Sequence, residues 1–150
     1  MITYDCHPHQ VLSVEAKGDV TILTCTKQYD GNSQTLGLLT SKWEAGSYVW
    51  LACRMEGSNP LKGKAPPPFN QHWACYHPIS ISSPPIEADG SLAKAFTMHI
   101  KSFGPGTWSH ALLTKARLGE NPSTWKVWVG GPNGKLSINP FHCDKVRQTT

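Results

Sequence analysis

The chain has 150 residues, 39% of them hydrophobic and only 16% charged, with a net charge of +4. That is one domain's worth of chain, 1–150, and its 13 Gly and 12 Pro speak for short strands and many turns rather than long helices. No apolar run approaches the ~18 residues of a membrane span. The basic residues are scattered and eleven of the fourteen are Lys, which is not the Arg-bearing stripe of a nucleic-acid binder.

The opening Met1-Ile2-Thr3-Tyr4-Asp5-Cys6 reads as a mature start behind an added initiator Met. Residues 10–16 alternate modestly and residues 20–27 are β-branched and apolar, with Gly18-Asp19 as the turn before the second run. Tyr29-Asp30-Gly31-Asn32 is another turn, residues 35–40 are a candidate strand, and residues 47–54 are an aromatic, central one. Residues 71–76 and 79–82 are short candidates flanked by prolines. Over residues 92–101, Leu92, Phe96, Met98 and Ile100 share one parity while Ala95, Thr97, His99 and Lys101 share the other. That period of two predicts a half-buried strand, entered through the turn Ala88-Asp89-Gly90-Ser91. Residues 108–118 fit either a helical turn or a strand, and Gly104-Pro105-Gly106 before them and Gly119 after them favour a strand. Residues 124–129 and 135–139 flank Gly130-Gly131-Pro132-Asn133-Gly134 and predict a hairpin. About eight to ten short strands with frequent turns predict an all-β barrel or sandwich with little helix.

Residues 57–70 hold four prolines and no strand pattern. A compact domain rarely keeps so long a loop without use. Pro66, Pro67 and Pro68 stiffen it toward polyproline II, and Leu61, Lys62, Lys64 and Phe69 are candidate contacts with a partner. The plainer alternative is a linker between two strands.

Five cysteines fit an oxidising compartment, and none sits in a Cys-x-x-Cys pair, which disfavours zinc-knuckle and thioredoxin-like readings. Cys6-His7-Pro8-His9 is the densest cluster of metal-capable residues but lacks four converging ligands, so no metal and no cofactor is expected. No Gly-x-Ser-x-Gly is present, and Cys75 between His72 and His77 is the best candidate nucleophile, set against a structural cysteine. A ribonuclease-like reading can draft His99 and Arg117, but the helix such a fold needs early in the chain is replaced by strand between Val11 and Lys27. Six tryptophans are many for this size. They fill a core or stack on sugars, and Trp125 and Trp128, being of opposite parity, point to opposite faces so that one is a candidate for exposure.

From residue 47 to residue 100 a pattern emerges: a strand ending in Cys53, a polar loop, Trp73-Ala74-Cys75, and a strand entered through Asp89-Gly90-Ser91-Leu92. With Gly18-Asp19, Tyr29 and Leu36-Gly37 upstream, this resembles the major-allergen family of Alternaria fungi, small secreted β-barrel proteins, over about residues 18–100. The resemblance implies a disulfide between Cys53 and Cys75, which would close a loop of about 20 residues and stabilise by about 3 kcal/mol. The family's C-terminal disulfide has no match, since Cys143 alone lies in that half; the alternative pairing is Cys6 with Cys143, leaving Cys25 free. The resemblance also implies a secreted effector or elicitor acting in the plant apoplast, and the odd cysteine count leaves a monomer with one free thiol or a disulfide-linked dimer. It would be non-catalytic, binding a host defence protein and neither nucleic acid nor membrane. Inhibition of a host protease, cysteine proteases first, through the stiff 57–70 loop is the alternative function, because a preorganised loop loses less freedom on entering a cleft. A ribonuclease-like enzyme and a carbohydrate-binding lectin are the alternatives from other classes.

Overall fold

A computed structural model describes residues 7–37, 39, 42–44, 46–55 and 76–134. Among them are seven strands: β1 (His9–Lys17), β2 (Val20–Tyr29), β3 (Asn32–Leu36), β4 (Tyr48–Met55), β5 (His77–Ser80), β6 (Ala95–Lys101) and β7 (Trp125–Asn133). One helix, α1 (Trp108–Arg117), and a 3₁₀ turn (Pro122–Thr124) complete the elements. The all-β expectation holds at this level. Every pairing is antiparallel, in the order β3-β2-β1-β7-β4-β5, with β6 beside β2 as well. The sheet curls into a half-barrel, and the residue just past β5 meets the middle of β6 at one isolated bridge, Ile81 to Met98.

The hairpins follow from their turn residues. Lys17 pairs with Val20 around Gly18, whose φ of 60° favours glycine over most residues with a β-carbon, and Tyr29 pairs with Asn32 around Asp30-Gly31. In β2, Thr21, Leu23, Cys25 and Lys27 are buried and their neighbours half-buried. β6 answers in full register from Val20–Lys101 to Thr26–Ala95, turning Phe96, Met98 and Ile100 inward. The parity expected for β6 holds, but Leu92 does not share it: it bridges Ile86 outside the strand and is exposed.

Three further expectations are corrected. Residues 108–117 form a helix, not a strand. Ser109, Leu112, Leu113 and Ala116 make one buried stripe at helical spacing. Thr107 caps it: its Oγ1 accepts from the His110 N–H at 3.2 Å and donates to the Gly104 carbonyl at 2.6 Å. Gly119, at φ 64°, ends it. The flanking glycines thus mark helix boundaries rather than a hairpin. Second, residues 130–133 are not a hairpin turn but the last part of β7. Gly130 pairs with Trp50 and Asn133 with Tyr48, so three steps on β7 match two on β4. That bulge falls at Gly131-Pro132, which is a cis peptide; Gly and Pro mark bulges as well as turns. The expected second arm, 135–139, lies outside the described residues, as do residues 71–75 of the candidate strand 71–76; Tyr76 precedes β5 and is buried. Third, the 35–40 strand lies earlier, as β3.

The core fills the concave side of the sheet, with Leu23, Phe96, Leu112, Trp125 and Val127 at its centre and α1 as a lid. A second cluster on the outer face joins Ala52, Tyr76 and Trp128, with Trp50 against it. Trp125 and Trp128 do face opposite sides, but both are buried, because β7 is covered on both faces.

A candidate binding groove between two parting strands

β5 is held by β4 and β6 by β2, and the two converge only near the Ile81–Met98 bridge. There the Ser82 N–H donates to the Thr97 carbonyl at 2.8 Å, and the Thr97 N–H donates to Ser83 Oγ at 2.9 Å. Away from that bridge the strands part, and the start of α1 stands at the open end. The result is a groove of about 520 Å³, within the range of ligand sites, walled by His77 and Ile79 on one side and His99 and Lys101 on the other, with Phe103 and Trp108 at its mouth.

Each side chain is placed for a local reason. His99 and Lys101 have the outward parity of β6. His77 stacks on Trp108, ring centroids 4.0 Å apart and planes 15° from parallel. Burial pushes the His77 pKa below its ordinary value, because the imidazolium is the form that loses hydration. The Ser82 hydroxyl donates to the Thr97 carbonyl at 2.9 Å, so its single proton is used. The His99 Nδ1, 2.7 Å from Ser82 Oγ, is therefore the donor in that contact, and its Nε2 is the atom left for other partners. Phe103 is 81% exposed although its own N–H is tied to Ser109 Oγ at 3.1 Å. A bare phenyl on an anchored backbone beside a half-buried indole is the composition of a contact surface. Among the described residues no carboxylate lines the groove; Asp19 approaches Lys101 at 4.0 Å, with both side chains about two-thirds exposed (63% and 67%).

A smaller cavity, about 300 Å³, lies between β1 and the 3₁₀ turn and includes Asp30, whose carboxylate is engaged by Lys126. His7 and His9 both turn their rings toward Tyr29, and the buried His9 Nδ1 lies 3.0 Å from the Thr26 carbonyl oxygen. Among the described residues no three His, Cys, Asp or Glu side chains converge as metal ligands.

Leu61, Lys62, Lys64, Pro66, Pro67, Pro68 and Phe69 lie outside the described residues, as do Cys6, His72, Cys75 and Cys143. Cys53 is half-buried with a free thiol, and Cys25 is a fully buried free thiol. Burial raises the pKa of both thiols. His99 and Arg117 are not brought together: His99 faces the groove near the start of α1, while Arg117, at the other end, donates to the Gly18 carbonyl at 3.0 Å. Of the described tryptophans, Trp108 is the one that lines the groove. Sequence reasoning missed the groove because it read α1 as strand; the Thr107 cap and the outward parity of His99 and Lys101 were the signals available.

Compared with protein-family models, with curated proteins and with solved structures, the chain matches none of them.

Proposed function

We propose that the chain is a secreted, non-catalytic binding protein of the effector or elicitor kind, which engages a host protein in the plant apoplast through the groove between β5, β6 and α1. The observation that carries the binding role is the pair at the groove's mouth: Phe103, 81% exposed, beside Trp108 stacked on His77. An aromatic surface of this kind gains most when a partner removes it from water, and aromatic residues dominate binding energy at protein interfaces. The Leu61–Phe69 stretch is the second contact region in this reading, and protease inhibition is its more specific form.

The test is capture from apoplastic fluid by the purified protein, read by mass spectrometry. Wild type runs beside a groove variant, Phe103→Ala with Trp108→Ala, and a loop variant with Leu61, Lys64 and Phe69 changed to Ala. One host protein held by wild type and lost from the groove variant supports the reading, provided that variant unfolds in urea near the wild-type midpoint. Equal capture by all three samples, or none by any, would sink it.

A second reading has one observation in its favour. His77, His99 and Lys101 line one groove. Two imidazoles and an ammonium are the groups that general acid–base cleavage of a phosphodiester uses. This ribonuclease-like reading differs from the His99–Arg117 pairing and requires RNA cleavage that disappears in both His77→Ala and His99→Ala.

A further inference from the structure

Several hydroxyl protons around the groove are already committed. That of Ser82 serves the Thr97 carbonyl. Thr107 donates to the Gly104 carbonyl, so the 3.3 Å contact between Thr107 Oγ1 and Ser109 Oγ uses the Ser109 proton. Ser109 Oγ in turn accepts the Phe103 N–H. Two donors are not committed in this way. Among the described residues the Trp108 indole N–H makes no hydrogen bond, and the Lys101 ammonium has Asp19, at 4.0 Å across an exposed gap, as its ion-pair partner. His99 is the converse case: its Nδ1 donates to Ser82, so its Nε2 is an acceptor. His99 and Lys101 share one face of β6, about 6–7 Å apart along the strand. The groove thus pairs a positive donor with a neutral acceptor. Ile79, Ile100 and Trp108 supply its apolar wall, and the bare ring of Phe103 stands at its mouth.

We infer that the groove binds a small planar heteroaromatic acid, with a fused-ring body, one carboxylate for Lys101 and one ring N–H for His99 Nε2. The cavity of about 520 Å³ has room for two fused rings and a short acidic arm, and is far larger than a bare anion needs. A flat aromatic body suits the walls: His77 already covers one face of Trp108, so the exposed Phe103 ring offers the stacking face. A single negative charge suits the electrostatics. Lys101 is the one permanently charged lining residue among those described, and Asp19 offsets part of its field, so a phosphate dianion is under-compensated there. The Asp19 contact is itself a screened surface pair that a ligand carboxylate can join or replace. The uncommitted Trp108 N–H is a second donor at the site. This ligand goes beyond the host-protein role proposed above, which concerns the aromatic mouth, and it stands or falls apart from that role.

The probe is indole-3-acetate, titrated into the isotope-labelled full chain and followed by NMR, with calorimetry for the affinity. The expected result is saturable binding at one site, with the largest shifts at His99, Lys101 and Phe103. Indole-3-acetamide, which lacks the charge, should bind about tenfold more weakly, and 1-methylindole-3-acetate, which lacks the ring N–H, about threefold more weakly. Lys101→Glu should lose indole-3-acetate and gain tryptamine, the same ring bearing an ammonium, a gain that a misfolded variant cannot show. Undiminished binding of either analogue, or no saturation at millimolar ligand, would overturn the inference. Tighter binding of adenosine monophosphate than of indole-3-acetate would overturn it too, in favour of the phosphate that the ribonuclease-like reading requires. Purified components alone are used, so a failed capture from apoplastic fluid leaves a positive titration standing. A failed titration beside a captured host protein sinks the heteroaromatic ligand and leaves the host-protein role intact.

Discussion

The imidazole of His77 lies face to face with the indole of Trp108, 4.0 Å between centroids, and this contact joins β5 to the first turn of α1 across the mouth of the groove. Two effects on His77 oppose each other there. An aromatic face favours the imidazolium by cation–π attraction, whereas burial favours the neutral ring. Burial prevails, and the pKa falls from its ordinary value of 6.5. With the folded value below the unfolded one, the unfolded chain binds the proton first as pH drops. The contribution to stability is therefore complete above pH 6.5 and is lost as pH falls through the folded value. An NMR titration should place the His77 midpoint below 6.5, and Trp108→Ala should raise it. A midpoint above 6.5 in the wild type would mean that the cation–π attraction wins.

The Thr107 cap decides whether the groove has its far wall. Its Oγ1 serves the His110 N–H and the Gly104 carbonyl together, joining the first turn of α1 to the preceding loop. Thr107→Ala should cost about 1 kcal/mol in urea unfolding, and Thr107→Ser should cost far less. Hydrogen exchange at the His110 amide should quicken in the Ala variant and stay slow in the Ser variant. Equal exchange in both would show that the loop, not the cap, fixes the helix start.

Much of this fold was legible in local patterns. The parity of β6 and the glycines of the two hairpins follow from two-residue periodicity and positive φ, which depend on neighbours in sequence. What was not legible depends on neighbours in space. Leu112, Leu113 and Ala116 suit a strand or a helix equally until the concave side of the sheet supplies something for a helical stripe to cover. Gly130-Gly131-Pro132 suits a turn or a bulge until β4 is present to pair with Gly130 and Asn133. The groove is the extreme case, since His77, Lys101 and Trp108 come from three elements and carry no shared spacing.

Cys25 tests the depth of the core. Its thiol is inaccessible, and burial, with the nearby Cys53 as a lesser cause, holds its pKa well above the usual thiol range. Since the thiolate is the reactive species, iodoacetamide at pH 8 should leave Cys25 unmodified in the native protein. In urea without reductant it should become fully alkylated, as peptide mapping by mass spectrometry would show. Labelling of the native protein would mean that β2 opens readily, while failure to label in urea would mean that Cys25 is oxidised.

Gly37 tests the packing around His9. The Gly37 N–H donates to the Lys27 carbonyl, and a β-carbon on Gly37 would run into the His9 ring, meeting Nε2 at 2.7 Å and Cε1 closer still. The ring has no obvious retreat: His9 is fully buried, its Nδ1 lies 3.0 Å from the Thr26 oxygen, and Phe96 stands edge-on at 5.8 Å. Gly37 does not have a positive φ, so space rather than backbone freedom demands glycine. Gly18 is the reverse case, with a φ of 60° and nothing within 4 Å of an added β-carbon. Gly37→Ala should therefore destabilise by about 1–3 kcal/mol, as overpacking does. Gly18→Asn should cost much less, because Asn tolerates the left-handed region. Shrinking the ring should relieve the clash, so that Gly37→Ala costs less in a His9→Ala background, with a coupling of about 0.5 kcal/mol or more in urea unfolding. Strictly additive losses would show that the segment after β3 shifts away from His9 and that the close approach is not enforced by the fold.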